Sequence, residues 1–520
     1  MKLVTTAEMR ALEAAAVAAG VSERQLMEEA GLAVAQEAWM LLGTLEGRHI
    51  LVLVGPGNNG GDGIVAGRHL FDWGADVILY LPRKRRDMSL IEETEPRALT
   101  VMLGEDDAGW EQLTALLSSS DLIIDALLGI GQKRPIDPAE PIGEALTRLK
   151  AARGGFQPPK LIAVDLPTGV NADNGAVDPL AVTPDETVTF GFPKVGMYQA
   201  PASAACGRVQ VIDIGIPKPA QEAVQLELLT SRWAKTALPP RPEDANKGTF
   251  GKVIVAGGSK RYAGAPMLAA NAAYRAGAGL VTIAAPAAVC DVLAGAIPEA
   301  TWLPQAASAT GGLPGSAAVV LRREWPAYDA AIIGPGLGND EETRAFVWAA
   351  LADIAPDVPN GVVIDADALN AIATMDDAAA RMPKRAVLTP HPGEMARLMK
   401  TTVAEVQADR IGTAQGAAAR FGCVVVLKGA HSVIAGPDGR TRLSPFANPL
   451  LATAGSGDVL AGVIGGYLAQ GLTPFTAACL GVYVHGATGE QLRAEYGDAG
   501  LLASELAGAL PKAVKELRAP

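Results

Sequence analysis

The stretch HILVLVGPGNNGGDG, residues 49–63, decides the fold. Its first part, HILVLV, is a short and unbroken apolar run after the histidine, which is typical of a strand buried on both faces of a parallel sheet. Gly55, Gly57 and Gly60 then form GxGxxG before a helical stretch, where glycines allow a tight turn and let backbone N–H groups reach a phosphate. The stretch therefore predicts a strand, a ligand-binding turn and a helix, which together make the first unit of an α/β fold.

The same alternation recurs along the chain. Apolar runs of strand length follow at 76–81, 122–128, 160–167 and 186–191, with helical periodicity at 63–73 and 142–152. Residues 233–251 include Pro239, Pro240 and Pro242 and are predicted to be neither helix nor central strand. The pattern then restarts at 252–258, 280–286, 330–336, 361–369, 386–391 and 424–429. We therefore predict two α/β domains, residues 1–225 and 226–520.

Composition excludes several classes of protein. The chain has 520 residues, of which 49% are hydrophobic, so it has enough apolar material for more than one core and is not disordered throughout. It has 44 Lys and Arg against 56 Asp and Glu, a net charge of −12, which argues against a general nucleic-acid binder. Its four cysteines form no CxxC pair, which favours a reducing cytoplasm over a disulfide framework or a zinc site.

The sequence predicts neither a transmembrane helix nor an export signal. No apolar run reaches the roughly 18 residues that a transmembrane helix needs. The first residues, MKLVTTAEMRALEAAA, carry Glu8 and Glu13 where a signal peptide would be apolar, so they are predicted to form a helix.

Polar residues collect at three predicted strand ends of the first domain. Asn58, Asn59 and Asp62 occupy the glycine-rich turn, and Asp125 lies near the end of the strand predicted at 122–128. Asp165 and Thr168 lie at the end of the next predicted strand, 160–167. Ligands gather at the carboxyl ends of parallel strands, so Asn59, Asp125 and Thr168 could jointly bind a hard cation. Turn capping explains each residue taken singly. The basic run at 83–86 is read as a solvated loop or as a group that tolerates a phosphorylated ribose.

These residues carry a resemblance. GPGNNGGDG, DALLGIG and VDLPTGV resemble the signature loops of the NAD(P)H-hydrate epimerase family, and the match spans about residues 1–220. The resemblance implies a potassium ion held by Asn59, Asp125 and Thr168 and a catalytic acid/base at Asp165, which also contacts substrate. It implies that hydrated NADH or NADPH is bound by Asn58, Asn59, Gly60, Gly61, Asp62, Gly129, Ile130, Gly131, Gln132, Lys133, Arg134 and Pro135.

A second candidate site lies near the C-terminus. Gly455-Ser456-Gly457-Asp458 directly precedes the apolar helical stretch VLAGVIGGYLAQG, and the start of a helix favours a phosphate. Asp458 is either a helix cap or the acid of the GxGD motif found in ribokinase-like folds, where it removes a proton from a hydroxyl. Lys428 beside a glycine turn, and His391 between two prolines, support a nucleotide site; a surface charge and a satisfied polar group are the alternatives.

This part of the chain also carries a resemblance. Residues 257–282 and the motifs GPGLG, VIDADALN, LTPHPGEMARL, LKGAHSVIA and TAGSGDVLAG resemble the ADP-dependent NAD(P)H-hydrate dehydratase family over nearly all of 245–515. The resemblance implies that Ala265, Gly336, His391 and Asp458 contact the hydrate, with Asp458 catalytic. It implies that ADP is bound by Lys428, Gly429, Ala430, His431, Ser432 and Gly457. Mg²⁺ is expected to bridge the nucleotide oxygens, as is general for phosphoryl transfer. The chain departs from the family at Asn246, where His is expected, and at Leu450, where Gly is expected.

The sequence thus predicts a Rossmann-like αβα domain followed by a ribokinase-like α/β domain. The resemblances imply repair of hydrated NADH and NADPH: the first domain interconverts R and S hydrates, and the second dehydrates the S hydrate with ADP, giving NAD(P)H, AMP and phosphate. A homo-oligomer without membrane or nucleic-acid partners is expected. The alternatives are a ribokinase-like small-molecule kinase, a dehydrogenase built on the glycine turn, and a non-catalytic nucleotide-binding scaffold.

Overall fold

The structure of the chain, a computed structural model, describes residues 1–132, 134–352 and 358–519. The chain divides into two units, Met1–Val224 and Gln225–Pro520. Within the described ranges, no helix combines the length and the apolar character needed to span a bilayer.

The first unit alternates helices and strands. Its helices are α1 (Thr6–Ala18), α2 (Glu23–Leu42), α3 (Asn58–Asp72), α4 (Ser89–Glu92), α5 (Glu111–Ser119), α6 (Pro141–Arg153), α7 (Ala202–Ala205) and α8 (Lys218–Gln221). Its strands are β1 (His49–Val54), β2 (Asp76–Leu81), β3 (Thr100–Leu103), β4 (Leu122–Ala126), β5 (Lys160–Val164), β6 (Glu186–Phe190) and β7 (Arg208–Ile212). The first helix begins with a capping box, because the Thr5 hydroxyl accepts the Glu8 N–H and the Glu8 carboxylate accepts the Thr5 N–H. The helix predicted at the N-terminus is therefore confirmed.

The described strands of this unit form one parallel sheet in the order β3-β2-β1-β4-β5-β6-β7. Successive residues of β1 enter different cores: Ile50 and Val52 pack on one side of the sheet, and Leu51 and Leu53 on the other. Burial on both faces explains the unbroken apolar runs and confirms the layered αβα fold. The strand order reverses between β1 and β4, the position at which ligands bind in such sheets.

The second unit is built in the same way around a larger sheet. Its helices are α9 (Ser231–Ala237), α10 (Gly264–Arg275), α11 (Ala287–Leu293), α12 (Ala317–Glu324), α13 (Glu341–Ala352), α14 (Asp367–Ala373), α15 (Ala378–Arg381), α16 (Pro392–Met399), α17 (Val403–Ala408), α18 (Arg410–Phe421), α19 (Ser456–Ala469), α20 (Pro474–Tyr496) and α21 (Ala503–Arg518). Its strands are β8 (Leu226–Leu228), β9 (Lys252–Ala256), β10 (Leu280–Pro286), β11 (Thr301–Gln305), β12 (Ala330–Ile333), β13 (Gly361–Ile364), β14 (Ala386–Leu388), β15 (Val424–Leu427), β16 (Val433–Ala435) and β17 (Thr441–Leu443).

The strands described in this unit pair in the order β11-β10-β9-β12-β13-β14-β15-β16-β17-β8. The strands from β11 to β15 are parallel, β16 runs antiparallel to both of its neighbours, and β8 pairs in parallel with β17. The long apolar helix α19 packs against α10 and α20 and over the sheet, and its residues from Val459 to Ala469 are buried. The predicted α/β class is confirmed for this unit as well.

The structure corrects the sequence prediction in two places. Residues 231–237 form α9 and Lys247–Phe250 form a short 3₁₀ helix, so the helix-free segment predicted for 233–251 is wrong near both of its ends. Helix α9 ends just before Pro239, because the residue before a proline avoids helical backbone angles and Leu238 is extended. The prediction also missed strands, among them β3, β7 and β11. These lie outside the fully buried centre of their sheets, so their sequences lack the continuous apolar run of a central strand.

Candidate active sites

The turn after β1 is shorter than its sequence suggests, because α3 begins at Asn58 and residues 58–62 form its first turn. The cap residue is Gly57, which has no side chain to accept a hydrogen bond from the first turn of the helix. Arg85 donates hydrogen bonds to the carbonyl oxygens of Gly55 and Gly57, at 2.9 Å for Gly57. A Cβ at Gly60 would lie 2.0 Å from the Gly55 carbonyl oxygen, so the turn requires glycine there. Within the basic run, Arg85 therefore holds the turn in shape.

A cavity of about 480 Å³ opens at this edge of the first sheet. It is lined by Arg10, Glu13, Pro56, Gly57, Asn58, Asn59, Asp62, Leu127, Leu128, Gly129, Ile130, Gly131, Gln132, Asp165 and Phe190. Segments that follow β1, β4 and β5 thus meet, and they bring together most of the residues predicted to bind substrate in this unit. The cavity lies at the reversal of strand order, where the fold places ligands.

The remaining predicted substrate residues lie elsewhere. Gly60 and Gly61 are buried within α3, and a Cβ at Gly61 would lie 2.7 Å from the Met27 methyl group. Arg134 is exposed and forms an ion pair of 2.9 Å with Glu140. Pro135 is exposed, and Lys133 lies outside the described residues. Packing thus accounts for the two glycines, while the described segment after Gln132 turns toward solvent.

Asp165 follows β5 in a left-handed backbone conformation, with a φ of 62°, which is uncommon for a residue with a side chain. Its Oδ1 forms an ion pair with Lys194 and accepts hydrogen bonds from the Thr189 hydroxyl (3.1 Å) and the Phe190 N–H (3.3 Å). The Lys194 side chain is almost completely buried. Three donors therefore fix Oδ1, and Oδ2 is the oxygen left to act in the cavity that Asp165 lines.

Two more carboxyl groups line the same cavity. Burial raises the pKa of Asp62 well above its usual value, and the negative charges of Asp165 and Glu13 raise it further. Burial and the charge of Asp165 likewise raise the pKa of Glu13. Lys194 and Arg85 oppose the shift at Asp62 without cancelling it. The cavity therefore favours retention of protons on these two carboxyl groups.

The three predicted cation ligands offer only oxygen donors. Asp125 is 2% exposed, and its carboxylate accepts hydrogen bonds from the Thr168 hydroxyl (2.7 Å) and the Thr168 N–H (2.9 Å). Burial raises the pKa of Asp125, so a bound cation would stabilise its charged form. The buried Asn59 Nδ2 has no hydrogen-bond partner among the described residues, and the Asn59 Oδ1 faces Gly129. A buried carboxylate beside hydroxyl and amide oxygens suits a hard cation such as K⁺.

In the second unit, the GxGD motif forms the start of α19. Gly455 precedes the helix with a φ of 88°, and Asp458 lies in the first turn. The Ser456 hydroxyl donates to the carbonyl oxygens of Leu451 (2.8 Å) and Thr453 (2.9 Å). Burial lowers the pKa of His485 to about 4, so its neutral ring donates through Nε2 to the Ser456 carbonyl at 3.0 Å. These contacts fix the position of Asp458 at a helix start.

Asp458 interacts electrostatically with Asp365, Glu394 and Lys428. The Lys428 Nζ lies 2.8 Å from Asp365 Oδ1 and 3.8 Å from Glu394 Oε2. Burial and the charge of Asp365 raise the pKa of Asp458 to about 7, against the lowering effect of Lys428. Burial raises the pKa of Glu394 to about 7 as well. A carboxyl group that titrates near neutral pH can both accept and release a proton there.

The predicted hydrate contacts of this unit fall into two groups. Gly336 and Ala265 are neighbours, because a Cβ at Gly336 would lie 2.9 Å from the Ala265 Cβ. His391 caps α16: its Nδ1 accepts the Gly393 N–H at 3.0 Å, and its own N–H donates to Glu394 at 2.8 Å. His391 is thus the positioned residue that its flanking prolines predict, and it joins the carboxyl cluster through Glu394.

The predicted nucleotide residues point in different directions. Gly429 and Ser432 close an exposed turn, in which the Gly429 N–H donates to the Ser432 hydroxyl at 3.2 Å. Ala430 is exposed on this turn, whereas His431 is buried with its Nδ1 3.0 Å from the Ser444 carbonyl oxygen. Lys428 points into the carboxyl cluster, and a Cβ at Gly457 would lie 3.2 Å from its Nζ.

Sequence reasoning missed Lys194, Glu13, Asp365 and Glu394. Asp365 could have been found, because it follows the buried run of β13 as Asp165 follows that of β5. Glu394 stands three positions after the cap of a helix, the spacing of a capping box. Nothing in the sequence around Lys194 or Glu13 links them to Asp165, because their encounter depends on the tertiary fold.

Comparisons with known proteins cover the whole chain. Residues 253–512 match the family model described as NAD(P)H-hydrate dehydratase, and residues 23–196 match that of the YjeF-related protein N-terminus. The bifunctional NAD(P)H-hydrate repair enzyme Nnr of Moorella thermoacetica is 39% identical, over 99% of this chain and 97% of the relative.

Two solved structures are similar to part of the chain. A ribokinase-like superfamily protein from Enterococcus faecalis is 27% identical, with a TM-score of 0.49 over 57% of this chain and 98% of its own. An ADP/ATP-dependent NAD(P)H-hydrate dehydratase from Bacillus subtilis, co-crystallised with ATP and Mg²⁺, is 33% identical. Its TM-score is 0.48, over 57% of this chain and 100% of its own.

Proposed function

Because this chain belongs to the family of bifunctional NAD(P)H-hydrate repair enzymes, we propose that it restores hydrated NADH and NADPH in two steps. Residues 1–225 interconvert the R and S hydrates, and residues 226–520 dehydrate the S hydrate with ADP. One observation carries the proposal: each unit places an aspartate beside a lysine-containing carboxyl cluster at the carboxyl edge of its sheet.

The first step makes and breaks the C6–O bond of the hydrated nicotinamide ring. Asp165 is the proposed proton acceptor, because it lines the cavity while its Oδ1 is anchored by Lys194, which leaves Oδ2 for the substrate. The substrate is proposed to lie along residues 58–62 and 129–135. Asn59, Asp125 and Thr168 would hold K⁺, which would supply a fixed positive charge next to the bound dinucleotide.

The second step requires a better leaving group than hydroxide at C6. Asp458 accepts the proton of the C6 hydroxyl, and the oxygen attacks the terminal phosphoryl group of ADP, releasing AMP. The ring nitrogen lone pair then expels phosphate, and loss of a C5 proton restores NAD(P)H. The start of α19 supports the phosphoryl group with backbone N–H donors.

The two predicted groups of residues are proposed to divide the substrates in this unit. Ala265, Gly336, His391 and Asp458 contact the hydrate, and residues 428–432 with Gly457 contact ADP. Mg²⁺ accompanies the nucleotide, and the Asp365 and Glu394 carboxylates beside Asp458 are oxygen donors of the kind that Mg²⁺ prefers. The scattered cysteines favour the cytoplasm as the compartment, and a homo-oligomer is expected, which light scattering of the purified chain tests.

The test of this function uses mixed R and S hydrates of NADH with ADP and Mg²⁺. Absorbance of reduced nicotinamide should rise until both epimers are consumed, faster than spontaneous interconversion allows. Stable phosphorylated product without NADH would instead indicate a small-molecule kinase. The Asp165→Asn variant should convert the S hydrate at the normal rate and leave the R hydrate to spontaneous interconversion. Rapid conversion of both epimers by this variant would contradict the role of Asp165.

A further inference from the structure

The cavity of the first unit holds three carboxyl groups from different elements. Glu13 comes from α1, Asp62 from α3, and Asp165 from the segment after β5. Lys194 pairs directly with Asp165, so its positive charge is already matched. Glu13 and Asp62 form no ion pair with a lysine among the described contacts. Burial and the neighbouring negative charges raise the pKa of both carboxyl groups.

Epimerisation at C6 needs both a proton donor and a proton acceptor, and one anchored carboxylate does not supply both; this inference rests on the proposed function. The C6 hydroxyl must leave from one face of the ring, and oxygen must return to the other face. The leaving hydroxyl needs a proton, and the incoming water must lose one. Asp165 is held by three donors on Oδ1, so it is fixed toward one side of the cavity.

We propose that Asp62 is the second catalytic group of this site, the carboxylic acid that protonates the leaving C6 hydroxyl while Asp165 accepts a proton from the incoming water. Protonation breaks the C6–O bond and releases water, as the N1 lone pair forms an N1–C6 double bond. A water molecule then adds to C6 from the opposite face and gives a proton to Asp165. The reverse reaction, or exchange with solvent, returns the proton to Asp62, so charge and atoms balance.

The position of Asp62 suits this task. It lies on the helix that follows β1, whereas Asp165 follows β5, and β4 stands between these strands in the sheet. Both residues line the same cavity, so a ring bound there would meet carboxyl groups carried by two different elements. Asp62 also faces the charges of Glu13, Asp165, Lys194 and Arg85, and the net effect of burial and these charges preserves its proton.

The test compares Asp62→Asn with Asp72→Asn, an exposed position on the same helix. Asparagine keeps the size of Asp62 but cannot donate an acidic proton. We expect the epimerisation kcat of Asp62→Asn to fall by about 100-fold or more, with KM changed less than threefold. Dehydration of purified S hydrate by the same chain should be unchanged, because that step belongs to the second unit. Asp72→Asn should match the wild type.

Two further readouts separate proton donation from substrate binding. Wild-type kcat/KM for epimerisation should fall at high pH as Asp62 loses its proton, and this fall should be absent in Asp62→Asn. Asp62→Glu should be at least tenfold more active in epimerisation than Asp62→Asn. A raised KM with normal kcat, an unchanged pH profile, or equal activity of the Glu and Asn variants would overturn the proposal. Absence of epimerisation in the wild type would instead refute the proposed function.

Discussion

Each unit places a lysine among carboxyl groups at the carboxyl edge of its sheet, but the two lysines have different partners. Lys194 binds Asp165, the proposed base of its own site. Lys428 binds Asp365, and the proposed base Asp458 stands beside that pair with a pKa of about 7. The direct ion pair fixes the position of Asp165, whereas Lys428 acts on Asp458 through its charge and lowers a pKa that burial raises. The comparison indicates that the first site relies on orientation and the second on a tuned pKa.

The largest expected effect is the loss of dehydration activity when Asp458, the proposed base of the second unit, is substituted. Asp458→Asn should lower dehydration of the S hydrate by roughly 1000-fold, because a positioned general base contributes on that scale. Nucleotide binding, measured by calorimetry with ADP, should persist, and epimerisation should be unchanged. Near-normal dehydration by this variant would show that Asp458 is not the base of the second unit.

Substitution of the paired lysine should affect both activity and stability in the first unit. Lys194→Met removes the partner of a largely buried carboxylate, so we expect a loss of about 3 kcal/mol in unfolding free energy, near the lower end for broken buried pairs. Epimerisation should fall by about 100-fold, because Asp165 loses its anchor. Lys160→Met, which breaks an exposed pair with Asp185, should change stability by less than about 1 kcal/mol in denaturant titration. Equal effects of the two variants would show that the Lys194 pair has no special role.

The pH dependence of dehydration should follow the protonation state of Asp458. With a pKa of about 7, Asp458 gains its charged form as pH rises, so kcat/KM should increase about tenfold between pH 6 and pH 8. Lys428→Met should move this rise to higher pH, because Lys428 lowers the pKa of Asp458. A rise centred near pH 4 in the wild type would contradict a tuned base.

The same raised pKa has a consequence for stability. Between the unfolded value near 4 and the folded value of about 7, the folded chain holds more protons on Asp458 than the unfolded chain does. Its contribution to the free energy of unfolding therefore decreases as pH rises through this window. Asp458→Asn should gain stability relative to the wild type from pH 5 to pH 8, measured by the difference in denaturation midpoints. A constant difference over this range would argue against the shift.

The smallest effect concerns the proposed cation site of the first unit. Thr168→Val removes the hydroxyl that donates to Asp125 at 2.7 Å, and with it one proposed K⁺ ligand. We expect about a tenfold higher K⁺ concentration for half-maximal epimerisation. The melting temperature of the wild type should rise more in KCl than in NaCl, and this difference should shrink in the variant. Identical responses to both salts in both proteins would exclude a K⁺ site.

The same comparison shows what the sequence could predict. Central strands were found because burial on both faces demands continuous apolar runs, as in β1 and β4. The acids at strand ends, Asp125 and Asp165, were found because parallel sheets place ligands there. The helical start at Asn58 was missed, because its glycines are weak helix formers and the glycine-rich turn masks the boundary.

The lysine partners could not be predicted, because they depend on tertiary contacts. Lys194 is 29 residues from Asp165, and Lys428 is 63 residues from Asp365. No local pattern specifies these pairs, since each joins segments that follow two different strands. The sequence assigns no role to Lys194 and predicts that Lys428 binds the nucleotide. In the structure, each of the two lysines forms an ion pair with a buried aspartate.

A complementation assay tests whether two independent sites act in sequence on one substrate pool. Asp165→Asn alone should convert only the S hydrate quickly, and Asp458→Asn alone should convert neither epimer to NADH. An equimolar mixture of the two variants, supplied with mixed hydrates, ADP and Mg²⁺, should restore rapid and complete conversion of both epimers. If the mixture converts only the S hydrate quickly, the division of the reaction between Asp165 and Asp458 is wrong.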